Sequence, residues 1–510
     1  MVLALAGIAS FDLGPPLALN DSYIYSWSVA HLTAGVIYPR QTALALPQLL
    51  IGWIVAVPFG HDQRALRASQ LILIVAGAWA AQRIARRLGA GAAWSQLSPA
   101  VLVTSPIFFN VAVSFMSDVA YVALLLLACN AGVAWAEGNG GRAGFAAWAT
   151  LATLQRVPGI GVIAALAIAL IVRSRQSGRP LTRSDWLWLG ASAAGSSLAI
   201  VVPTVVGTSA GANLVDRLNH FQTDALLTPF VHLPLLAGYL LLPLAGGLLI
   251  RWNTRAYVMA AAGAALLVLA LGFVTWLPGN IWTFVGPAPT LPGGKSAPVP
   301  LTVQVVIVGL AAIAFWLLWV ASSADWIKPV APDPRLLFLV LTAGLQLVLL
   351  LPNTVTFYDR YYLPVVAPLI PMICALAQTR GRPGAAWFAT AVCAVLLALS
   401  LVYQQDYQSW QSSRDQAARL AYLCAAPSRV NAGYEANAVY TEVPTYEATG
   451  RSLPARLVGR DVTVFGPANP ALWLEFAGPD DKRPGVAYAS VAPGKIVING
   501  AICPAAEPKS

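Results

Sequence analysis

Residues 119–136 read VAYVALLLLACNAGVAWA, an apolar run without a charged residue between Asp118 and Glu137. A helix needs about 20 such residues to cross the hydrocarbon core of a bilayer. Further charge-free stretches of comparable or greater length cover residues 88–117, 186–215, 225–250, 256–294, 296–324 and 336–358. The sequence therefore predicts a polytopic membrane protein built of helices.

The composition supports this prediction. Apolar residues make up 58% of the 510 residues and charged residues only 10%, against about 25% charged residues in soluble domains. So few charges cannot cover the surface of a soluble enzyme, a nucleic-acid-binding module or a disordered chain. The net charge of +10 is read as the excess of Lys and Arg that marks cytoplasmic loops, and we expect no nucleic-acid partner.

We predict about 13 spans, counting a short segment at the N-terminus. The others are expected near residues 68–86, 96–116, 119–136, 143–155, 157–172, 186–206, 230–250, 256–277, 301–321, 336–352, 361–379 and 384–404. The fourth and fifth are too short for two full crossings and suggest a shallow hairpin with Arg156 at its tip. Residues 41–61, interrupted by prolines, are interpreted as an interfacial or re-entrant helix, with a full crossing as the alternative.

The basic residues fix the expected orientation. One set of loops, which includes Arg86, Arg87 and Arg335, holds about twice as many Lys and Arg residues as the other set, and is therefore expected to be cytoplasmic. With an odd number of spans, the N-terminus lies in the cytoplasm and the C-terminal tail outside. The expected location is a bacterial plasma membrane.

The composition changes after Tyr403. We divide the chain into a transmembrane catalytic domain, 1–404, and a small α+β domain outside the membrane, 405–510. Apolar runs at 462–465 and 495–498 are typical of strands. The tail also holds Cys424 and Cys503, and two cysteines in an exported domain suggest one disulfide. No spacing of His and Cys typical of a zinc site occurs in the sequence.

Two acids are expected at the outer face. Asp21 begins an aromatic segment with Tyr23 and Tyr25, and Asp118 lies at the outer start of a span. Ionisable groups near the hydrocarbon are costly, so those present are candidate functional groups. Each acid has a simpler interpretation as a helix N-cap.

Two arginines are expected at the same face. Arg360 and Tyr361 lie at another outer boundary, and Arg156 lies between two apolar runs. Either arginine could simply extend toward the interface as an anchor. His220, in an outer loop, is expected to be a solvated residue or to line the substrate cavity. Arginine suits phosphate, and a carboxylate can take a proton from an attacking hydroxyl, so the set indicates chemistry on a lipid-linked phosphate sugar.

The ordered motifs resemble those of a known family. They are the Asp21 segment, Phe59-Gly60-His61-Asp62-Gln63-Arg64, Ala85-Arg86-Arg87-Leu88-Gly89, Ser114-Phe115-Met116-Ser117-Asp118 and Arg360-Tyr361-Tyr362-Leu363-Pro364. This set resembles the GT-C superfamily of integral-membrane glycosyltransferases, in particular the family 39-like bacterial aminoarabinose transferases and protein O-mannosyltransferases. The resemblance covers about residues 12–175 and 355–375.

The resemblance implies that Asp21 is the general base and Asp118 the second acid of the site. Arg156 and Arg360, with Tyr361, would bind the donor phosphate, and Tyr23, Tyr25 and His220 would line the cavity. The sugar would pass with inversion from a polyprenyl-phosphate donor to a hydroxyl of a glycan, lipid or protein. Asn20 stands where many members have a second acid, which weakens the case for a divalent metal. No cofactor is expected to be required, and a divalent metal stays an unsupported alternative.

Two other functions remain open from the sequence. A ligase or polymerase would transfer a whole glycan in the same compartment. A transporter or flippase for a lipid-linked sugar would share the spans and the arginines. It should also show charges deep in the spans and an internal repeat, neither of which is apparent in the sequence.

Overall fold

In the computed structural model, the chain is mostly helical and carries a small sheet near its C-terminus. The structure describes residues 22–37, 45–59, 63–205, 227–249, 309–315, 333–350, 359–380, 384–426, 429–432, 434–437, 439–440, 443–449, 470, 472–477, 480–483, 485–488 and 494–500. This architecture confirms the predicted fold class of a helical membrane protein with a small α+β tail. The predicted span 256–277 and most of the predicted span 301–321 lie outside the described residues.

The helices of the first half are α1 Ser22–His31, α2 Leu46–Ala56, α3 Gln63–Arg87, α4 Ala92–Thr104, α5 Pro106–Ala112, α6 Ser117–Glu137, α7 Arg142–Gln155, α8 Gly161–Ser177 and α9 Arg183–Val205. Those of the second half are α10 Leu227–Leu249, α11 Pro334–Leu350, α12 Leu363–Val366, α13 Leu369–Arg380, α14 Ala385–Cys424, α15 Tyr434–Asn437 and α16 Val443–Thr449. Short 3-10 turns cover Leu32–Ala34, Val57–Phe59, Val157–Ile160 and Asp359–Tyr362.

Among the described residues, four helical segments are long and apolar enough to cross a membrane, or five if the pair bent by 50° near Ala367 is one span. The four are α3, α6, α14, and α8 together with the turn before it. Large apolar side chains on their outer surfaces are exposed, including Trp79 and Trp387. Such surfaces suit contact with lipid, so the chain is described as a multi-pass membrane protein. The number of 13 spans stays a prediction.

Helix α6 lies at the centre of the helical region and packs against α3 and α7. Its apolar sequence is almost entirely buried by these neighbours, because it is hydrophobic on all sides. Its 21 residues extend over about 30 Å. Asp118 lies in the first turn of the helix and Glu137 ends it, so these acids lie at opposite ends of the helical layer.

Breaks in the helices fall within one predicted span and between two others. The stretch 96–116 divides into α4 and α5 at Ser105, which is extended at ψ 127°, because the residue before Pro106 is driven out of helical geometry. The predicted segments 143–155 and 157–172 correspond to α7 and α8, which are separated at Arg156 by the 3-10 turn. Together with that turn, α8 is long and apolar enough to cross a membrane, so the second segment is longer than predicted. Residues 46–59 form a short apolar helical segment, which is compatible with the predicted interfacial or re-entrant helix.

The tail contains a four-stranded sheet of β1 Val430–Asn431, β2 Leu472–Ala477, β3 Gly485–Tyr488 and β4 Gly494–Gly500. Their order is β1-β2-β4-β3, with β1 and β2 parallel and the other neighbours antiparallel. The predicted strand at 495–498 lies in β4, whereas 462–465 lies outside the described residues.

Helix α14 joins the two parts of the chain. It continues through residue 404 without a break, so the proposed boundary between 1–404 and 405–510 falls within a helix. Its C-terminal half contributes Trp410 to a core shared with Leu474 and Ile496 of the sheet. Met116, directly before α6, belongs to the same core, so the tail packs onto the end of the helical layer that carries Asp118.

Candidate active site

Asp118 lies in the first turn of α6, after a turn that ends at Met116. Met116 occupies the N-cap position and no side chain caps this helix end, so the simpler interpretation of Asp118 as an N-cap is wrong. An acid in the first turn still benefits from the positive end of the helix dipole. Only 2% of Asp118 is exposed, and a buried carboxylate needs charged or hydrogen-bonding partners.

Two arginines converge on this carboxylate. Nη2 of Arg156 lies 3.0 Å from Oδ1 of Asp118, and Nε of Arg360 lies 3.5 Å from Oδ2. Both oxygens of Asp118 therefore face a guanidinium group, as expected for a buried acid that is held by charge. The structure thus brings together three residues that were singled out in the sequence as separate motifs.

The positions of the arginines follow from breaks in the helices. Arg156 is extended, with φ −150° and ψ 135°, at the end of α7. The next turn contains Pro158, which has no N–H to continue the helical hydrogen bonds. Arg360 lies in the 3-10 turn before α12 and only 2% of it is exposed.

Tyr361 lies between the two guanidinium groups. Its ring centre is 5.7 Å from Cζ of Arg156 and 5.6 Å from Cζ of Arg360. Both distances are within the range in which a cation is attracted to the face of an aromatic ring. The ring therefore helps to keep two like charges near each other.

Ser117 connects Arg156 to α1. Its hydroxyl oxygen accepts hydrogen bonds from Nε and Nη2 of Arg156 at 3.1 and 2.7 Å. The hydroxyl of Tyr25, on α1, donates to the same oxygen at 3.2 Å. Tyr25 and Tyr23 are both buried, and the hydrogen bond to Ser117 places Tyr25 beside the arginine cluster. That the two tyrosines line a substrate cavity stays a prediction.

Arg156 retains a free edge. Its contacts occupy Nε and Nη2, while Nη1 makes no hydrogen bond to any part of the chain that the structure describes. About a fifth of the side chain, 19%, is exposed. A guanidinium that is fixed on one edge and open on the other can bind an anion with little loss of conformational entropy.

Two glutamines of the site were not identified from the sequence. Gln48 of α2 and Gln155 of α7 are fully buried and bonded to each other, with Gln155 Nε2 donating to Gln48 Oε1 at 2.9 Å. Neither is charged, so a search for ionisable groups passes over them. A polar amide inside an apolar stretch is the signal that could have found them, since such groups are costly to bury alone.

Asp21, His220 and Cys503 lie outside the described residues, so their predicted roles stay predictions. Cys424 is disulfide-bonded, and Cys129, Cys374 and Cys393 are free. Within the described ranges, no group of three or more His, Cys, Asp and Glu side chains could hold a metal ion.

A second charged cluster lies at the opposite end of α6. Glu137 binds Arg87 at 2.6 Å and Arg335 at 3.4 Å. Arg335 also contacts Asp333 at 2.7 Å. Burial alone would raise the pKa of Asp333, but hydrogen bonds from the side chain and backbone of Arg335 lower it below its ordinary value. These charges neutralise one another and tie the helix ends together.

Residues 46–206, about a third of the chain, match the model of the dolichyl-phosphate-mannose-protein mannosyltransferase family. The match includes α2 to α9 and hence Asp118 and Arg156. It supports membership of the GT-C superfamily of integral-membrane glycosyltransferases, as the resemblance in the sequence implied.

Among solved structures, the chain is similar to ArnT from Cupriavidus metallidurans in the apo state, with 15% identity and a TM-score of 0.40. The alignment covers 100% of this chain and 99% of that one. For the same protein bound to undecaprenyl phosphate, identity is 14%, the TM-score 0.42, and coverage 100% and 98%. Scores at this level indicate a distant likeness, on which none of the assignments below depends. No curated protein sequence matches the chain.

Proposed function

We propose that the protein transfers a sugar from a polyprenyl-phosphate donor to an acceptor hydroxyl, with inversion at the anomeric carbon. The reaction is assigned to the outer face of a bacterial plasma membrane. The acceptor is a hydroxyl of a glycan, lipid or protein. The family match over residues 46–206 supports the class of reaction.

The observation that carries the proposal is the convergence of Arg156 and Arg360 on Asp118 at the start of α6. Two guanidinium groups face the single carboxylate of Asp118, so the cluster keeps a net positive charge that favours a further anion. The open Nη1 edge of Arg156 provides donors that match the geometry of a phosphate. We therefore assign the donor phosphate to this cluster.

The arginines act on the leaving group. As the acceptor oxygen bonds to the anomeric carbon, the bond from that carbon to the phosphate oxygen breaks and both electrons remain on the phosphate. Positioned guanidinium groups stabilise the charge that grows there, an electrostatic effect that is often the largest in such steps. Polyprenyl phosphate is the product that departs.

Asp21 is the proposed base that receives the proton of the acceptor hydroxyl. It directly precedes α1, and α1 reaches the arginine cluster through Tyr25. Asp118 suits a different role, because both of its oxygens face arginines. We assign to it the positioning of Arg156 and Arg360 rather than proton transfer.

The test is transfer from a set of polyprenyl-phosphate donors, each carrying a single sugar, by purified full-length protein in detergent, with Arg360→Lys as the variant. Lysine keeps the charge but lacks the planar guanidinium group with its paired N–H donors, so turnover should fall about 10-fold or more. Arg87→Lys, at the opposite end of the helices, is the matched control and should retain activity. Equal activity of Arg360→Lys and the parent would favour an anchoring role for Arg360.

The same assay separates the rival functions. Detergent removes the second compartment, so a transporter or flippase would yield no transferred sugar. A ligase or polymerase would act on a lipid-linked glycan but not on a single lipid-linked sugar. Either result in the parent protein would refute the proposed reaction.

A further inference from the structure

Gln48 and Gln155 connect three separate parts of the chain. Gln48 lies in the first turn of α2, and Gln155 is the last residue of α7, next to Arg156. The third part is the segment Phe115–Ser117, which leads into α6. Both glutamine side chains are fully buried, with 0% exposure, so their hydrogen bonds form without competition from water.

The two amides form a closed set of hydrogen bonds. Gln155 Nε2 donates to Gln48 Oε1 at 2.9 Å, and the backbone N–H of Gln48 donates to Gln155 Oε1 at 3.2 Å. This N–H belongs to the first turn of α2, where helical donors have no partner within the helix. Gln155 thus acts as a cap for α2 from a residue 107 positions away.

The remaining amide donors bind the backbone next to Asp118. Gln48 Nε2 donates to the carbonyl of Phe115 at 2.9 Å, and Gln155 Nε2 donates to the carbonyl of Ser117 at 3.2 Å. Ser117 is also the residue whose hydroxyl accepts from Arg156. Gln155 is the chain neighbour of Arg156, and its side chain binds the carbonyl next to Asp118. It therefore fixes the backbone beside both partners of the ion pair.

The backbone directly before α2 has an unfavourable conformation, which indicates that tertiary contacts fix the position of this helix. Ala45, directly before α2, has φ 49° and ψ 24°. This left-handed conformation is unfavourable for a residue other than glycine, because Cβ approaches the following carbonyl oxygen. Such conformations persist only where the surrounding structure determines them. Three residues later, the backbone N–H of Gln48 is held by the hydrogen bond that it donates to Gln155 Oε1.

We propose that Gln48 and Gln155 are positioning residues that set Arg156 against Asp118 and so place its open edge for the phosphate of the lipid donor. The proposal rests on the assignment of that phosphate to Arg156. Amides suit this role because they are neutral. A carboxylate at either position would compete with Asp118 and with the donor for the guanidinium group.

The test is a double-mutant cycle on the binding of undecaprenyl phosphate to the full-length protein in detergent. Gln48→Met keeps the size of the side chain but removes its hydrogen bonds. With Arg156 present, we expect the dissociation constant to rise about 10-fold, as for the loss of a buried hydrogen bond. In an Arg156→Ala background the same change should alter binding less than about 2-fold, because a positioning residue acts through the group that it positions.

Gln411→Met is the matched control. Gln411 is a buried glutamine of α14 that donates to the hydroxyl of Tyr407, within the tail core. Gln411→Met should leave lipid binding unchanged even where it lowers the melting temperature as much as Gln48→Met does. If Gln48→Met does not fold, the shorter Gln48→Asn and the reciprocal Gln155→Met are carried through the same cycle.

Equal weakening of binding with and without Arg156 would overturn the proposal, as would binding by Gln48→Met equal to that of the parent. These outcomes are distinct from a failure of the proposed reaction. If the parent binds the lipid but transfers no sugar, the glycosyltransferase assignment fails, but the double-mutant cycle on lipid binding can still be interpreted. If the parent transfers sugar and the cycle shows no coupling, only the positioning role fails.

Discussion

At the scale of single residues, we propose different roles for Asp118 and Asp21, although the sequence predicts both acids at the outer face. Asp118 is buried between Arg156 and Arg360, so its charge is needed to hold two guanidinium groups. Asp21 is proposed as the base, so its charge is needed only during the reaction. Both assignments therefore predict a loss of turnover on substitution, but only the substitution of Asp118 should also lower stability.

Asp118→Asn should lower both stability and turnover. Removing one partner of a buried ion pair costs about 3–5 kcal/mol, which should appear as a lower melting temperature of the protein in detergent. Displacement of the arginines by about 1 Å can reduce the rate by about 10²-fold. Asp118→Glu, which keeps the charge, should recover part of the stability. An unchanged melting temperature for Asp118→Asn would contradict the role of Asp118 in holding the arginines.

Asp21→Asn should lower turnover and leave stability unchanged. Asparagine keeps the shape of aspartate but cannot take the proton, and general-base catalysis contributes about 10²–10⁴-fold in rate. Donor binding, measured with undecaprenyl phosphate, should be retained. Because Asn caps helices about as well as Asp, activity within a few-fold of the parent would mean that Asp21 is only a helix cap.

At the scale of elements, close packing of α3 against α6 holds α6 at its position among the neighbouring helices. Gly77 makes this approach possible, because a Cβ atom built there would lie 3.0 Å from Cα of Ala123. Small residues at such contacts let helix backbones approach closely within membranes. Gly190, on α9, offers a contrast, since nothing lies within 4 Å of a Cβ atom at that position.

Gly77→Ala should destabilise the protein and Gly190→Ala should not. Overpacking at Gly77 forces the two helices apart, at a cost of about 1–3 kcal/mol. At Gly190 the helix propensity of alanine should instead stabilise by up to about 1 kcal/mol. Melting temperatures of the two variants in detergent provide the comparison. A fall of similar size in both would show that the approach of α3 to α6 does not depend on Gly77.

At the scale of the whole molecule, the tail is packed onto the end of the helical layer that contains the arginine cluster. Met116 lies in the core formed by α14 and the sheet. Trp27 of α1 also donates a hydrogen bond to Glu447 of α16 at 2.9 Å. The tail therefore contacts both the segment before Asp118 and the helix that follows Asp21.

We expect one disulfide, between Cys424 and Cys503, to close the tail. Thiol labelling of unfolded, unreduced protein should modify Cys129, Cys374 and Cys393, and the other two cysteines only after reduction. Closing a loop of about 80 residues should stabilise the tail by roughly 4 kcal/mol on the chain-entropy model. Labelling of all five cysteines without reduction would contradict both the disulfide and an extracytoplasmic tail.

Much of the fold could be predicted from the sequence because hydropathy is a local property. The apolar runs of α3, α6 and α14 are recognisable without knowledge of their neighbours, and so is the strand around 495–498. The ends of the elements were less predictable. The continuation of α14 past residue 404 depends on its packing against a sheet that forms from residues much later in the chain.

The sequence by itself determined the membrane class, the helices and the charged residues worth attention, since burying an ionisable group near lipid is costly wherever it occurs. Only the tertiary structure decided which of these groups meet. It joined Asp118 to Arg156 and Arg360. It also placed Gln48 and Gln155 in hydrogen-bonding distance of each other and of the backbone just before Asp118. Charges and amides pair according to distances of a few ångströms between distant parts of the chain, and the packing of whole helices sets those distances.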